Sequence, residues 1–167
     1  GTVSGRVEIP TGEPVAYVYV ENIKEAALPS KTVTIEQSGK QFNPRWAVVQ
    51  RGTSVNFPNL DNIYHNVFSR SPGATFDLGL YNSSEKAKGY TFLNAGAVDV
   101  YCNIHPKMSA SLLVVPNQYF TKVGADGRFT LPNVPPGKRK IVAWAPGSAE
   151  SSEWVEFESG GVAEVSL

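Results

Sequence analysis

The chain opens on a period of two. Val3, Gly5, Val7 and Ile9 fall on one face of a strand, with Ser4, Arg6 and Glu8 on the other. Thr11-Gly12-Glu13-Pro14 interrupts this pattern, and residues 15–20 resume as a strand apolar on both faces, which predicts a central place in a sheet. Beyond Glu21 the pattern loosens through Lys24-Glu25-Ala26-Ala27-Leu28-Pro29-Ser30, a short helical turn or a linker, and Pro29 makes it a boundary. From Lys31 to Val115, residues 32–35, 47–49, 54–57, 65–68, 91–93, 97–101 and 109–115 read as strands separated by Gly, Pro and Asn. Seven strands in about 85 residues is the density of a Greek-key sandwich or barrel. The least regular part, Ser69 to Gly89, mixes charges and predicts a loop or one short helix. After Pro116-Asn117, residues 119–123 and 128–131 read as a hairpin about Asp126-Gly127, a dipeptide suited to the positive φ of tight turns. A proline-rich turn over 132–137 leads into a strand at 138–144, and residues 154–157 and 162–167 supply two more.

The two ends are unfinished when taken alone. The first 28 residues offer two strands, too few to bury a stable core, while the last 52 offer about five. Together they amount to roughly one sandwich, so the expected organisation is a domain over 30–115 inserted into a loop of an outer domain made of 1–29 and 116–167. The alternative is a linear chain whose first strands join the middle sheet.

Composition narrows the functions. Fifteen basic and fifteen acidic residues cancel, which disfavours nucleic acid and membrane surfaces as partners. Residues 30–115 hold eight basic and five acidic residues against seven and ten in the ends, a mild segregation. No apolar run approaches the roughly 20 residues of a membrane span. A single cysteine excludes an intramolecular disulfide.

The unusual residues are concentrated in one stretch, Tyr101-Cys102-Asn103-Ile104-His105-Pro106-Lys107-Met108, with the only cysteine, the only methionine and one of the two histidines. Thiolate, imidazole and thioether form a soft set that selects copper or zinc over magnesium or calcium. Singly, each has an ordinary role: Cys as a small hydrophobe, Met as core filler, His as a satisfied polar group. Jointly, Cys-x2-His-x2-Met fits one tight turn, and the remaining imidazole, His65, opens a different strand. Two His and a Cys with a distant axial Met is the donor set of a blue-copper electron-transfer site. Structural zinc would use more cysteines, and catalytic zinc would keep a position for water. A thiolate-bridged dinuclear centre needs a second Cys, and a multicopper cluster needs more His. The expectation is one mononuclear copper ion on His65, Cys102, His105 and Met108.

Phe42-Asn43-Pro44, the Val48 to Val55 segment, Asn59-Leu60-Asp61 through His65-Asn66-Val67, and Gly96 through Met108 make residues 31–115 resemble a cupredoxin of the plastocyanin, amicyanin and pseudoazurin kind. The short loop with Pro106 after the histidine resembles that of amicyanin more than the longer one of plastocyanin. Ile104 and Ala110 depart from the commoner Pro and Gly at those places. The resemblance implies that Asn66 tethers the ligand loop and that His105 is the electron port. Pro106, Ile104, Phe42 and Pro44 would form an apolar docking patch around it, with Lys107 beside them to steer an acidic partner. In the ends, Gly5-Arg6-Val7, Gly12-Glu13-Pro14-Val15 and Asp126 through Gly137 resemble the prealbumin-like sandwich of carboxypeptidase regulatory domains, a scaffold or binding module without chemistry of its own.

The expected fold class is therefore all-β, a Greek-key cupredoxin β-sandwich inserted into a second, prealbumin-like β-sandwich. The expected function is single-electron carriage by Cu(II)/Cu(I) cycling, exchanging with a redox protein such as a c-type cytochrome or a dehydrogenase or oxidase. An extracytoplasmic, for example periplasmic, location is expected, with a signal peptide removed ahead of Gly1. Copper delivery or sensing is the competing use of the same donors, and an adhesion module carrying a relic site is a third. An enzyme is not expected, because no Ser-His-Asp set or carboxylate pair remains once both histidines serve a metal.

Overall fold

The computed structural model describes residues 1–29 and 31–167, so Ser30, the expected first residue of the middle domain, lies outside the described residues. Strands and turns account for the described residues, and no helix occurs among them. None is therefore long and apolar enough to cross a membrane. The chain begins with β1 (Thr2–Arg6) and β2 (Tyr17–Val20). Next come β3 (Val33–Thr34), β4 (Glu36–Ser38), β5 (Gln41–Asn43), β6 (Trp46–Gln50) and β7 (Ser54–Phe57). They are followed by β8 (His65–Ser71), β9 (Ala74–Tyr81), β10 (Lys88–Thr91), β11 (Gly96–Tyr101) and β12 (Ser109–Val115). The last five are β13 (Phe120–Lys122), β14 (Arg128–Leu131), β15 (Gly137–Trp144), β16 (Ser151–Phe157) and β17 (Val162–Ser166). The chain divides into two compact units, Gly1–Ala27 with Pro116–Leu167, and Leu28–Val115.

The unit over 28–115 carries a five-stranded sheet in the order β6-β12-β11-β8-β9, a three-stranded sheet β10-β7-β3, and the small β4-β5 pair. β12 runs parallel to β6 and antiparallel to β11, which places it inside the sheet. Its alternation puts Ala110, Leu112 and Val114 into a core shared with Val98 and Val100 of β11, Val49 of β6, and Val55 and Phe57 of β7. The other unit has sheets β14-β1-β17 and β13-β2-β15-β16 around a separate core that includes Val3, Val18, Leu131, Val134 and Ile141. β2 lies between β13 and β15, the interior position expected for a strand apolar on both faces.

Two expectations are corrected. Ser69 to Gly89 holds no helix and is mostly strand: β8 continues to Ser71 and turns back as β9, and a loop over 82–87 leads to β10. The alternation Ala74, Phe76, Leu78 is the signal for β9. It does not run to the end of the strand, because an extra residue bulges β9 at Gly79, which has φ +77°. A bulge shifts the phase of the pleat, so Leu80 faces solvent and Tyr81 is buried. The segments around Asp126-Gly127 do not form a hairpin, since β13 pairs with β2 and β14 with β1. Gly127 still makes the turn, at φ +82°, but the turn moves the chain from one sheet to the other. A tight turn fixes a reversal of direction, and the partner strands are chosen by which faces are apolar. Gln37 and Phe42 lie on a hairpin, β4-β5, that the sequence pattern does not suggest because its strands are only three residues long. Of the two readings of Lys24 to Pro29, the linker holds: the segment has no helical turn.

Candidate metal centre

The β11-β12 hairpin is paired up to Tyr101↔Ser109, and residues 102–108 form its loop. The Cys102 amide donates to the Met108 carbonyl at 3.2 Å, and the Met108 amide donates to the His105 carbonyl at 2.9 Å. Cys102 and Met108 therefore leave the hairpin opposite each other, and both are buried against the core. Sequence spacing makes this possible, because the apolar alternation of both strands continues into the first and last loop positions. His65 begins β8, which meets β11 at Phe68↔Tyr101 with those rings 5.8 Å apart. That pairing carries His65, fully buried, to the mouth of the loop.

Three donors converge there. His65 Nδ1 is 3.0 Å from His105 Nδ1, and Cys102 Sγ is 3.6 Å from the same atom. The donor atoms of His65, Cys102 and His105 all lie within 4.8 Å of one another. The two imidazoles meet edge to face, at 73° with centroids 4.8 Å apart, so each presents one nitrogen to the common point. Metal bonds of about 2.0–2.1 Å to nitrogen and about 2.3 Å to sulfur set donors around one ion about 3.3–3.7 Å apart. The Cys102–His105 edge has that length, the His65–His105 edge is a few tenths shorter, and the His65–Cys102 edge lies within 4.8 Å. Two nitrogens and one thiol sulfur make a set suited to a soft or borderline ion. The residues present thus fit a single copper ion, with Met108 buried on the same loop. Burial and the neighbouring His65 and Lys40 charges hold His105 below the usual imidazole range, against the opposing charge of Asp61. Its neutral form, the one that can ligate, is favoured accordingly.

Asn66, buried beside His65, accepts a hydrogen bond from the Asn103 amide at 2.9 Å and so ties β8 to the loop. A second tether is not evident from sequence pattern alone. Asp61 Oδ2 lies 2.7 Å from His65 Nε2, on the side of the ring away from the donor cluster. The same carboxylate accepts the amides of Gly39 at 2.9 Å and Lys40 at 3.0 Å, the turn of the β4-β5 hairpin. Burial alone would raise this carboxyl, but the hydrogen bonds from His65, Lys40 and Gly39 and the charge of His65 hold it below the usual range. Asn59 fixes the intervening loop, accepting the Asp61 amide and donating to the carbonyls of Ile63 and Tyr81. The one signal in the sequence is a carboxylate four residues ahead of a histidine whose other nitrogen is needed at the donor cluster.

The predicted docking residues do not form one surface. Ile104, Pro106 and Pro44 are exposed, and His105 is half-buried between Ile104 and Pro106 in sequence. Phe42 is completely buried, edge-on to Phe57 at 6.4 Å, and belongs to the core. Its place on β5, with Gln41 and Asn43 facing out, is the reason: alternation puts a lone aromatic inward. Two side chains on the loop before His65, Leu60 and Tyr64, are instead more than half exposed.

Solved structures similar to this chain include cupredoxins. A reduced amicyanin variant superposes with a TM-score of 0.47 at 19% identity over 58% of this chain and 97% of its own. A purple cupredoxin from Nitrosopumilus maritimus gives 0.44 at 22% identity over 49% of this chain and 98% of its own. A copper-containing nitrite reductase from Thermus scotoductus gives 0.47 at 23% identity over 57% of this chain, with 25% of the reductase matched. No family model and no curated protein sequence matches the chain. The chemistry assigned to the site rests on its own donors and distances.

Proposed function

We propose that this protein is a type 1 copper protein that carries single electrons. The observation that carries the proposal is the convergence of His65, from β8, with Cys102 and His105 of a hairpin loop whose last residue is the buried Met108, their donor atoms all within 4.8 Å of one another. A copper ion held there would accept and release one electron without making or breaking bonds to a substrate. The chain's own residues supply the rest. The paired hairpin and the Asn66 tether keep the donors in place between oxidation states, which keeps rearrangement small. Burial of His65, Cys102 and Met108 excludes water and favours retention of the metal over its delivery to another protein. With both histidines in the cluster, no imidazole is left to serve as a general base, which favours a carrier over an enzyme.

His105 is the proposed electron port, since it is the donor nearest solvent. Exposed Ile104 and Pro106, which flank it in sequence, together with exposed Pro44, are the proposed contact area for a redox protein such as a c-type cytochrome or a dehydrogenase or oxidase. The copper domain over 30–115 is proposed to be inserted between 1–29 and 116–167, which form a prealbumin-like scaffold or docking module. The boundaries between the two compact units, at Ala27/Leu28 and Val115/Pro116, support this. An extracytoplasmic location, for example the periplasm, follows from the same reading.

The test is an absorption spectrum after addition of Cu(II). An intense thiolate-to-copper band is expected in the native protein and not in Cys102→Ala, with reversible bleaching on reduction. A native protein without the band ends this assignment. One that shows the band but gives up its copper to a mild chelator when reduced is a delivery protein instead.

A further inference from the structure

We infer that Asp61 is a positioning residue that fixes the proton and orientation of His65 and biases the metal centre toward its oxidised state. The inference rests on the copper reading above and adds a residue and a direction to it.

His65 has no freedom in how it is used. It is fully buried, and its two nitrogens face different partners: Nδ1 the His105 donor at 3.0 Å, Nε2 the Asp61 carboxylate at 2.7 Å. A carboxylate accepts hydrogen bonds only, so Nε2 must carry the ring proton. Nδ1 is then left with its lone pair directed at the cluster, which is the form that binds a metal. Without Asp61 the proton is free to sit on either nitrogen, and one of the two tautomers blocks ligation.

The carboxylate itself is held by more than the histidine. Gly39 and Lys40 adopt left-handed φ values of +64° and +57°, which aim two successive amides at Asp61 Oδ1 and Oδ2. Such concave amide pairs stabilise an anion. Asn59 Oδ1 accepts the Asp61 backbone amide at 2.9 Å, so the residue is fixed from both sides. The Asp61 side chain is only 19% exposed, which limits screening of its charge. A negative charge hydrogen-bonded to a ligating ring raises the basicity of that ligand and favours the more highly charged metal ion. Cu(II) is therefore stabilised more than Cu(I), and the reduction potential is lowered.

Asp61→Asn keeps an acceptor oxygen for His65 and removes the charge. It is expected to weaken Cu(II) binding about tenfold, the lower end of what loss of such a partner costs. With Cu(I) binding unchanged, that is a rise of about 59 mV in potential for one electron. Asp61→Ala removes the acceptor as well and is expected to lower Cu(II) affinity further. In the metal-free protein, the imidazole nitrogen NMR resonances of His65 should show a single Nε2–H tautomer in the native chain and a mixture in Asp61→Ala. Asp99→Asn removes an exposed carboxylate of the same unit, one that accepts from Ser111, and is expected to leave both readouts unchanged.

A native centre whose potential is the same in Asp61→Asn, or an Asp99→Asn shift as large, overturns the bias. A His65 tautomer that does not change in Asp61→Ala overturns the positioning role, and this readout needs no copper. Loss of thermal stability alone, with potential and tautomer unmoved, makes Asp61 a holder of the Gly39-Lys40 turn and nothing more. Absence of the thiolate band in the native protein ends the copper reading, an outcome separate from all of these.

Discussion

At the scale of single residues, buried polar side chains at and near the site are held by specific hydrogen-bond partners. Asn66 is a clear instance, because its side-chain oxygen is the acceptor for the Asn103 amide. Asn66→Ala leaves that amide without its partner and is expected to cost about 1–2 kcal/mol, seen as a lower denaturant midpoint. Tyr81 is another. Burial pushes its hydroxyl up to about 12, partly offset by its hydrogen bond with Gln37. The neutral phenol is therefore favoured in the folded chain, so its contribution is complete below pH 10 and is lost as pH rises from about 10 to about 12. Tyr81→Phe should flatten that part of an alkaline unfolding profile, and an unchanged profile would show that another group governs it.

At the scale of elements, two glycines decide geometry that alternation alone cannot. Gly79 supplies the bulge that turns Leu80 outward and Tyr81 inward. Gly39 and Lys40 close the β4-β5 hairpin and point it at Asp61. A Cβ added at Gly39 would meet nothing within 4 Å, so Gly39→Ala carries only the backbone penalty of a left-handed alanine. The expected loss is about 1–2 kcal/mol, measured by chemical denaturation. These elements are hard to read from sequence for a physical reason. A three-residue strand has too few positions to display a period, and a bulge changes the period partway along. The longer β11 and β12 are legible, and so is the loop between them.

At the scale of the whole molecule, each unit has its own core. Leu112→Ala should destabilise the unit over 28–115 by about 2–5 kcal/mol, and Ile141→Ala the other by a similar amount. Residue-resolved hydrogen exchange should speed up in the unit that carries the substitution. Equal acceleration in both units after either change would mean that the two cores unfold as one.

The amino-acid sequence by itself determined the class of structure and the chemical character of the site. Period-two alternation requires strands, and one Cys, one Met and two His leave a single soft donor set. Three of those donors sit in one loop, so their proximity was written in the chain. Only the tertiary structure decided what lies beyond that loop. It brought His65 to the other donors through the β8-β11 pairing, set Asp61 behind it, and sent Phe42 into the core instead of the surface. Apart from Asp61, four residues ahead of His65, such contacts join residues far apart in the chain, and their formation depends on which strands pair and in which register, information that no local pattern of residues contains.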